Sequence, residues 1–442
     1  MKISRFFYTD YVDYASYSNL RMISSFIDGQ KNASRKILYT VIEKNIKDEI
    51  KVNQLNSKMS EFADYLHGSA ESVIVNLAQD FVGTNNLPLL AREGNFGTRF
   101  TQEAAASRYI FTYGSENLWN LFNKEDNDIL IGQTFEGAKI EPRFYLPTLP
   151  LILINGSEGI SSGFAQKILN RNPKNIARYI YEYLNNELRP KKENSLTPYY
   201  EGFSGTICSG ENALQWLIKG SVEKIGQNKV QINELPVGYD LKGYMHVLKN
   251  LKDSGAISSY EDKSENDIFK FIVTINSKDL KNMDDEAILN RLKLIKKVSE
   301  NFTCINEHNK IQEFSSAKEI LDRFIEIKLE YTEKRRLKII EKLSEELKIM
   351  KSKYLFIKGI LDDVIIINKK SKKEIIEQLE KIKDIVTHND SYDYLLNMSI
   401  HSLSQETFDR LIKETKDKKQ KLDFYVNTTN IDMYKSEVEN FK

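Results

Sequence analysis

The densest concentration of reactive side chains lies between Arg92 and Tyr113, where Arg92, Arg99 and Arg108 stand among glycine and small-residue turns. Arg108 is followed directly by Tyr109 and preceded by the run Ala104-Ala105-Ala106-Ser107. A tyrosine beside an arginine can attack a phosphodiester: the guanidinium neutralises the non-bridging oxygens while the phenol supplies the nucleophile. A phenol with a pKa near 10 needs a base or a polarised surrounding to react at neutral pH. The same pair also fits a core tyrosine under a surface arginine, because the chain holds 23 tyrosines.

Other chemistries lack their residues. No Gly-x-x-x-x-Gly-Lys-Ser/Thr loop is present to cradle a nucleotide phosphate, and no His-Glu-x-x-His or Gly-x-Ser-x-Gly segment occurs. The carboxylate groups Asp126-Asn127-Asp128 and Asp284-Asp285-Glu286 follow no apolar strand that would support a metal, so they read as a solvated loop or a helix start. The five histidines are scattered, and none begins the His-x-x-Arg of a tyrosine recombinase. Cys208 and Cys304 are the only cysteines, which excludes a disulfide framework and fits a reducing cytoplasm.

The elements that must position Tyr109 are set by breaker residues more than by charge. The 442 residues carry 64 Lys+Arg against 63 Asp+Glu, a formal net charge of +1, so any DNA surface must come from local segregation of cations. All eight prolines lie at or before Pro236. The first third reads as short helices at Tyr17 to Phe26, Asn32 to Lys44 and Ser60 to Phe81, with a small β-wing. Strands are expected at Gly205 to Ser209, Lys229 to Leu235 and Phe269 to Ile275, the middle one alternating cleanly. Helices are expected between them at Asn175 to Glu187, Leu241 to Ser254 and Asp285 to Lys297. Beyond Phe314, Ile340, Leu343, Leu347, Met350, Tyr354, Ile357 and Leu361 step by three or four, the seam of a coiled coil. Ile375, Leu379, Ile382 and Val386 form a second amphipathic set, and a returning helix is expected from Tyr425.

Several segments in one order carry a resemblance. Asp28-Gly29-Gln30-Lys31-Asn32-Ala33-Ser34-Arg35-Lys36-Ile37-Leu38 resembles the Asp-Gly-Leu-Lys-Pro-x-x-Arg-Arg/Lys-x-Leu signature of type IIA DNA topoisomerases. Tyr65-Leu66-His67-Gly68, Gly94-Asn95-Phe96-Gly97-Thr98-Arg99 and Ala105-Ala106-Ser107-Arg108-Tyr109-Ile110 follow in family order. Glu141-Pro142-Arg143, Asn155-Gly156-Ser157-Glu158-Gly159-Ile160 and Tyr394-Leu395-Leu396-Asn397-Met398 extend the likeness over almost the whole chain. Asn32 replaces the proline of the first motif and Leu66 replaces the first histidine of the usual His-His-Gly.

The resemblance is to the cleavage (A-type) subunit of a split enzyme, closest to the phage-type medium subunit, with neither an ATPase nor an acidic metal-binding domain. It implies an α+β, multidomain fold: a winged-helix DNA gate with the catalytic tyrosine over residues 1–140, an α/β tower over 141–312, and a coiled-coil exit gate over 313–442. It implies Tyr109 as the nucleophile that takes the 5′ phosphate, Arg108 as its phosphate partner, and His67, Arg21 and Lys31 lining the cleavage site. Tyr113 is the first alternative nucleophile. Ile160 takes the place of the side chain that wedges between base steps. Arg35, Lys36, Arg92 and Arg99 are candidate DNA-backbone contacts, with a salt bridge the alternative for each. The implied partners are double-stranded DNA, an ATPase/metal-binding subunit that holds Mg2+ and ATP, and a second copy of the chain through the exit gate. The implied location is cytoplasmic, in the host cytoplasm if the protein is phage-encoded. The rival reading is a DNA-binding coiled-coil scaffold without cleavage chemistry.

Overall fold

The computed structural model describes residues 3–185, 196–399 and 405–441. The chain divides into two compact units, Met1–Lys328 with Lys435–Lys442, and Leu329–Tyr434. In the first unit α1 (Ile3–Tyr8) and α2 (Asp10–Met22) lead to α3 (Asn32–Glu43), whose apolar stripe of Ile37, Leu38 and Val41 is fully buried. Ser34 Oγ accepts from the Lys31 amide at 3.0 Å, which starts α3 without the family's proline.

A continuous helix over Ser60 to Phe81 does not form. α4 (Val52–Phe62) stops where Asp64 and Gly68 take φ of 51° and 89°, and α5 (Glu71–Ala78) restarts the helix. Before α4 lies β1 (Ile50–Lys51), which with β2 (Leu90–Glu93) and β3 (Phe111–Gly114) makes an antiparallel sheet in the order β1-β3-β2. Its registers pair Lys51 with Phe111 and Arg92 with Thr112. This is the expected wing, and β2 and β3 are the two ends of the loop that carries Tyr109.

Further along, the clean alternation at Val230 and Ile232 becomes the strand Lys229–Glu234, second in a sheet with Ser221–Lys224, Phe271–Thr274 and Ser259–Asp262. Val230, Ile232, Phe271 and Val273 bury one face of that sheet under Tyr244 and Leu248 of the helix Leu241–Asp253. The helix expected over Asp285 to Lys297 ends at Arg291. Lys293 takes a φ of 58°, and Ile295–Ser299 becomes a strand paired with Gln215–Lys219. The expected helix at Asn175 to Glu187 is Pro173–Leu184, and Asn186 and Glu187 lie outside the described residues.

The helix Ala317–Leu361 runs through the seam predicted from the sequence, with Leu343, Met350 and Ile357 buried. In the second unit it is met by an antiparallel helix, Gln405–Asn427, so the return begins well before Tyr425. The Tyr354 and Phe408 rings stack at 4.9 Å, Lys418 pairs with Glu346, and Arg336 Nη1 donates to the Tyr425 carbonyl at 3.0 Å. Phe356, Ile365, Leu379 and Leu395 close a small core of their own. Among the described residues no helix is long and apolar enough to cross a membrane.

Candidate functional site

Tyr109 sits in an irregular loop over residues 94–110 between β2 and β3. The loop is tied at its foot: the Ala105 amide donates to the Asn95 carbonyl at 2.9 Å, and Gln79 Nε2 donates to the Phe96 carbonyl at 2.8 Å. A last turn, Tyr109 N–H to the Ala106 carbonyl at 2.9 Å, places the tyrosine just ahead of Ile110, which is buried. Ile110 anchors and Tyr109 projects: its side chain is 66% exposed. The Arg108 guanidinium carbon lies 4.7 Å from the centre of its ring. The cation and the phenol are thus presented together, and the reading of Tyr109 as a core tyrosine fails on exposure. Tyr113 lies within β3, with its hydroxyl 3.5 Å from Glu93 Oε1. A carboxylate beside that phenol repels a phosphodiester.

A second cluster forms around α2. His67 Nε2 meets the Tyr17 hydroxyl in a short hydrogen bond, and the Arg21 guanidinium carbon lies 5.6 Å from the Tyr17 ring centre. Tyr17 therefore joins Arg21 to His67. The sequence reading missed this residue, although Tyr17 and Arg21 are spaced i,i+4 on one helix face. The end of α2 also meets the hairpin of Ser157–Ile160 and Ala165–Ile168. Ser18 Oγ and Ser161 Oγ are 3.0 Å apart, and a Cβ on Gly159 would collide with the Met22 carbonyl oxygen, so only glycine lets the strand approach. Gln166 fastens the hairpin base. Its Oε1 accepts from Ser24 N at 3.1 Å and Ser157 Oγ at 2.8 Å, and its Nε2 donates to the Thr303 carbonyl at 2.8 Å.

On this base Ile160 is held 75% exposed, away from any core. Lys31 Nζ donates to the Glu158 carbonyl at 2.7 Å in the same hairpin. Burial lowers the Lys31 pKa from its ordinary value, against the opposing pull of the Glu158 carboxylate. The structure thus brings Arg21, Lys31, His67 and Ile160 into one linked neighbourhood. None of the described contacts joins it to the Arg108–Tyr109 pair.

The salt-bridge alternative holds for all four remaining cations. Arg35 is buried, with Nε 2.7 Å from Asp28 Oδ2 and Nη2 3.1 Å from Oδ1. Burial disfavours its charge, but the Asp28 carboxylate and hydrogen bond outweigh that and raise its pKa. Lys36 Nζ is buried 2.8 Å from Glu141 Oε2. Arg99 is 4% exposed, with Nη2 3.1 Å from Glu234 Oε1, and burial lowers its pKa against the opposing pull of Glu234. These three hold the fold and present no charge to a phosphate. Arg92 pairs with Asp80 at 2.8 Å, but the pair is on the surface, where it is worth little and exchanges readily with other partners. Among the described residues no three His, Cys, Asp or Glu side chains converge as metal ligands.

The family model for the A-type subunit of DNA gyrase/topoisomerase IV matches residues 21–439. The chain is 35% identical over 416 residues to the mitochondrial DNA topoisomerase 2 of Dictyostelium discoideum, covering 91% of this chain and 32% of that protein. It is 30% identical over 498 residues to DNA topoisomerase 2 of Saccharomyces cerevisiae, covering 100% of this chain and 34% of that one. A crystal structure of the Plasmodium falciparum topoisomerase II DNA-binding, cleavage and re-ligation domain superposes with a TM-score of 0.87. It has 32% sequence identity and covers 97% of this chain and 62% of that one. The chain thus spans about a third of the length of the curated relatives it matches. These relatives are eukaryotic DNA topoisomerase 2 proteins, so the likeness they show is to the type IIA cleavage region and not specifically to the phage-type medium subunit, and they give no support to a bacteriophage source. With a matching model over nearly its whole length and the wing sheet, the larger sheet and the long helix in place, the chain belongs to the DNA gyrase/topoisomerase IV family of A-type subunits.

Proposed function

We propose that this chain performs the DNA cleavage and religation step of a type IIA topoisomerase, with Tyr109 as the nucleophile. The observation that carries the reading is the Arg108–Tyr109 pair, 4.7 Å from guanidinium carbon to ring centre, at the exposed end of a loop otherwise tied down. The phenolic oxygen attacks the phosphorus and gives up its proton. The bond from phosphorus to the 3′ oxygen breaks, and that oxygen leaves with a proton. The DNA is left joined to the protein through a 5′ phosphotyrosine bond. Because one phosphodiester replaces another, the bond energy is kept and religation needs no ATP. Arg108 offsets the charge that builds on the non-bridging oxygens. His67, Arg21 and Lys31 line the cleavage site, and Arg92 reaches DNA by exchanging Asp80 for a phosphate. Ile160 wedges between base steps and bends the gate DNA at the cost of unstacking.

Cutting both strands requires two tyrosines on opposite strands, which a twofold dimer supplies. The second unit offers the surface for this, with Val364 66% and Ile366 52% exposed. The family chemistry uses Mg2+, which polarises the scissile phosphate when bound. In this reading an ATPase/metal-binding subunit holds the ion together with ATP, and this chain supplies Tyr109 and Arg108.

The test is denaturant trapping of labelled DNA on the chain, with Mg2+ and an ATPase/metal-binding topoisomerase subunit, for wild type and Tyr109→Phe. Label retained on the wild type and absent from the variant is expected. An adduct on the variant would move the role to Tyr113. No wild-type adduct, despite confirmed DNA binding and dimerisation, would leave a DNA-binding coiled-coil scaffold without cleavage chemistry.

A further inference from the structure

The middle of the Tyr109 loop does not stay with the wing. Arg99 and Phe100 leave it and enter the sheet built around Lys229–Glu234. Arg99 Nη2 donates to Glu234 Oε1 at 3.1 Å and to the Leu235 carbonyl at 2.9 Å, and its guanidinium carbon lies 5.2 Å from the centre of the Phe269 ring. Phe100 packs against the core of that sheet, its ring 5.1 Å from Phe269, and its carbonyl accepts from the Leu241 amide at 3.2 Å. Glu234 is itself fixed, since its Oε2 accepts from Ser204 N at 3.2 Å and Ser204 Oγ at 3.0 Å. The loop is therefore held at two places: its foot on Gln79 of the gate, and its middle in the neighbouring sheet.

We propose that Arg99 is a positioning residue for the cleavage step: with Phe100 it keys the Tyr109 loop into the sheet at Glu234, so that displacement of that sheet is passed to the tyrosine. The proposal rests on the reading of Tyr109 as the nucleophile. A buried guanidinium paired with a carboxylate does not let go cheaply, because either partner left alone is an uncompensated charge in a dry site. An aromatic ring wedged into the same core adds a contact with fixed shape. Between Phe100 and Tyr109 the loop is also held at Gln102, whose carbonyl accepts from Gln79 Nε2 at 3.3 Å, and at Ala105, whose amide donates to the Asn95 carbonyl at 2.9 Å, so a shift of the sheet at Phe100 bears on the same foot that carries Tyr109. The sequence alone leaves Arg99 between a DNA-backbone contact and a salt bridge. Its burial gives it this other task.

The experiment uses the full chain with Mg2+ and the metal-binding ATPase subunit, comparing wild type, Arg99→Met, Arg99→Lys, Glu234→Gln and Phe100→Leu. Three quantities are read: hydrogen exchange over residues 101–110, DNA affinity, and the single-turnover cleavage rate at saturating DNA. Faster exchange in the loop is expected for Arg99→Met and Glu234→Gln. Their cleavage rates should fall at least tenfold, with DNA affinity within twofold of wild type, and Arg99→Lys should recover part of the rate. Glu234→Gln and Phe100→Leu keep the proposal testable if Arg99→Met does not fold. Unchanged loop exchange, or cleavage equal to wild type in folded variants, overturns the keying. A loss confined to DNA affinity returns Arg99 to the DNA backbone. If the wild type itself forms no adduct, the nucleophile reading has failed and this proposal falls with it. That outcome is told apart from failure of the keying alone, in which wild type and variants cleave alike.

Discussion

Asp28 supports the loop that presents Lys31, and the effect of its removal can be worked out from the bonds it makes. Its carboxylate accepts four hydrogen bonds: Arg35 Nε at 2.7 Å, Arg35 Nη2 at 3.1 Å, the Gln30 amide at 3.0 Å and the Tyr145 amide at 3.0 Å. Asp28 is fully buried and Arg35 is 8% exposed, so the carboxylate is cut off from water and the guanidinium nearly so. Asp28→Asn keeps the volume but places an NH2 against donors and strands the Arg35 charge. The expected cost is about 3–5 kcal/mol, the range for breaking a buried pair from one side. Arg35→Met removes the cation while Asp28 keeps its two backbone donors, and should cost less. The double variant leaves a neutral pair, so its cost should fall short of the sum by about 1–3 kcal/mol. Urea unfolding of the four proteins, followed by circular dichroism, measures each value. A cost below about 1 kcal/mol for Asp28→Asn, or additivity within about 0.5 kcal/mol, would refute the reasoning.

Three other outcomes follow from the geometry. Gly159→Ala should destabilise by about 1–3 kcal/mol and flatten the bend in bound DNA, since its Cβ would collide with the Met22 carbonyl oxygen. Thermal unfolding and end-to-end energy transfer on DNA check both, and no change in either means that contact does not fix the hairpin. Ile160→Ala, at an exposed position, should leave stability within about 0.5 kcal/mol and lower bending and cleavage more than binding. Unchanged bending removes Ile160 from the wedge role. Burial raises the Cys304 thiol to about 12, so an aromatic disulfide reagent at pH 8 should label Cys208 in the native protein and Cys304 only after unfolding. A thiol that binds its proton more tightly when folded contributes stability present in full below about pH 9 and lost as pH rises towards 12. The Tyr145 and Tyr200 phenols, raised mainly by burial, act in the same direction. The urea midpoint should therefore fall between pH 8 and pH 10.5, and equal labelling of the two thiols would contradict the burial.

The parts of the fold legible in the sequence were those written in a short period. Val230 and Ile232 alternate and became a buried strand face, and Leu343, Met350 and Ile357 step along a helix and became its covered stripe. Where local breakers competed, the pattern misled. Asp64 and Gly68 split one expected helix, and the positive φ of Lys293 turned the end of another into a strand.

At the candidate site, the adjacency of Arg108 and Tyr109 and the order of motifs that marks the family can be read directly along the chain. A covalent neighbour stays a neighbour whatever the fold. Which cations are locked in buried ion pairs was set by packing. Arg35, Lys36 and Arg99 look like Arg21 and Lys31 in the sequence, but Glu141 and Glu234 reach Lys36 and Arg99 from far along the chain and bury them. The same holds for Tyr17 against His67 and for Gln166 under the hairpin. The physical reason is that a charge or an amide is assigned by the partner that removes it from water, and that partner is chosen by packing, at separations no local pattern records.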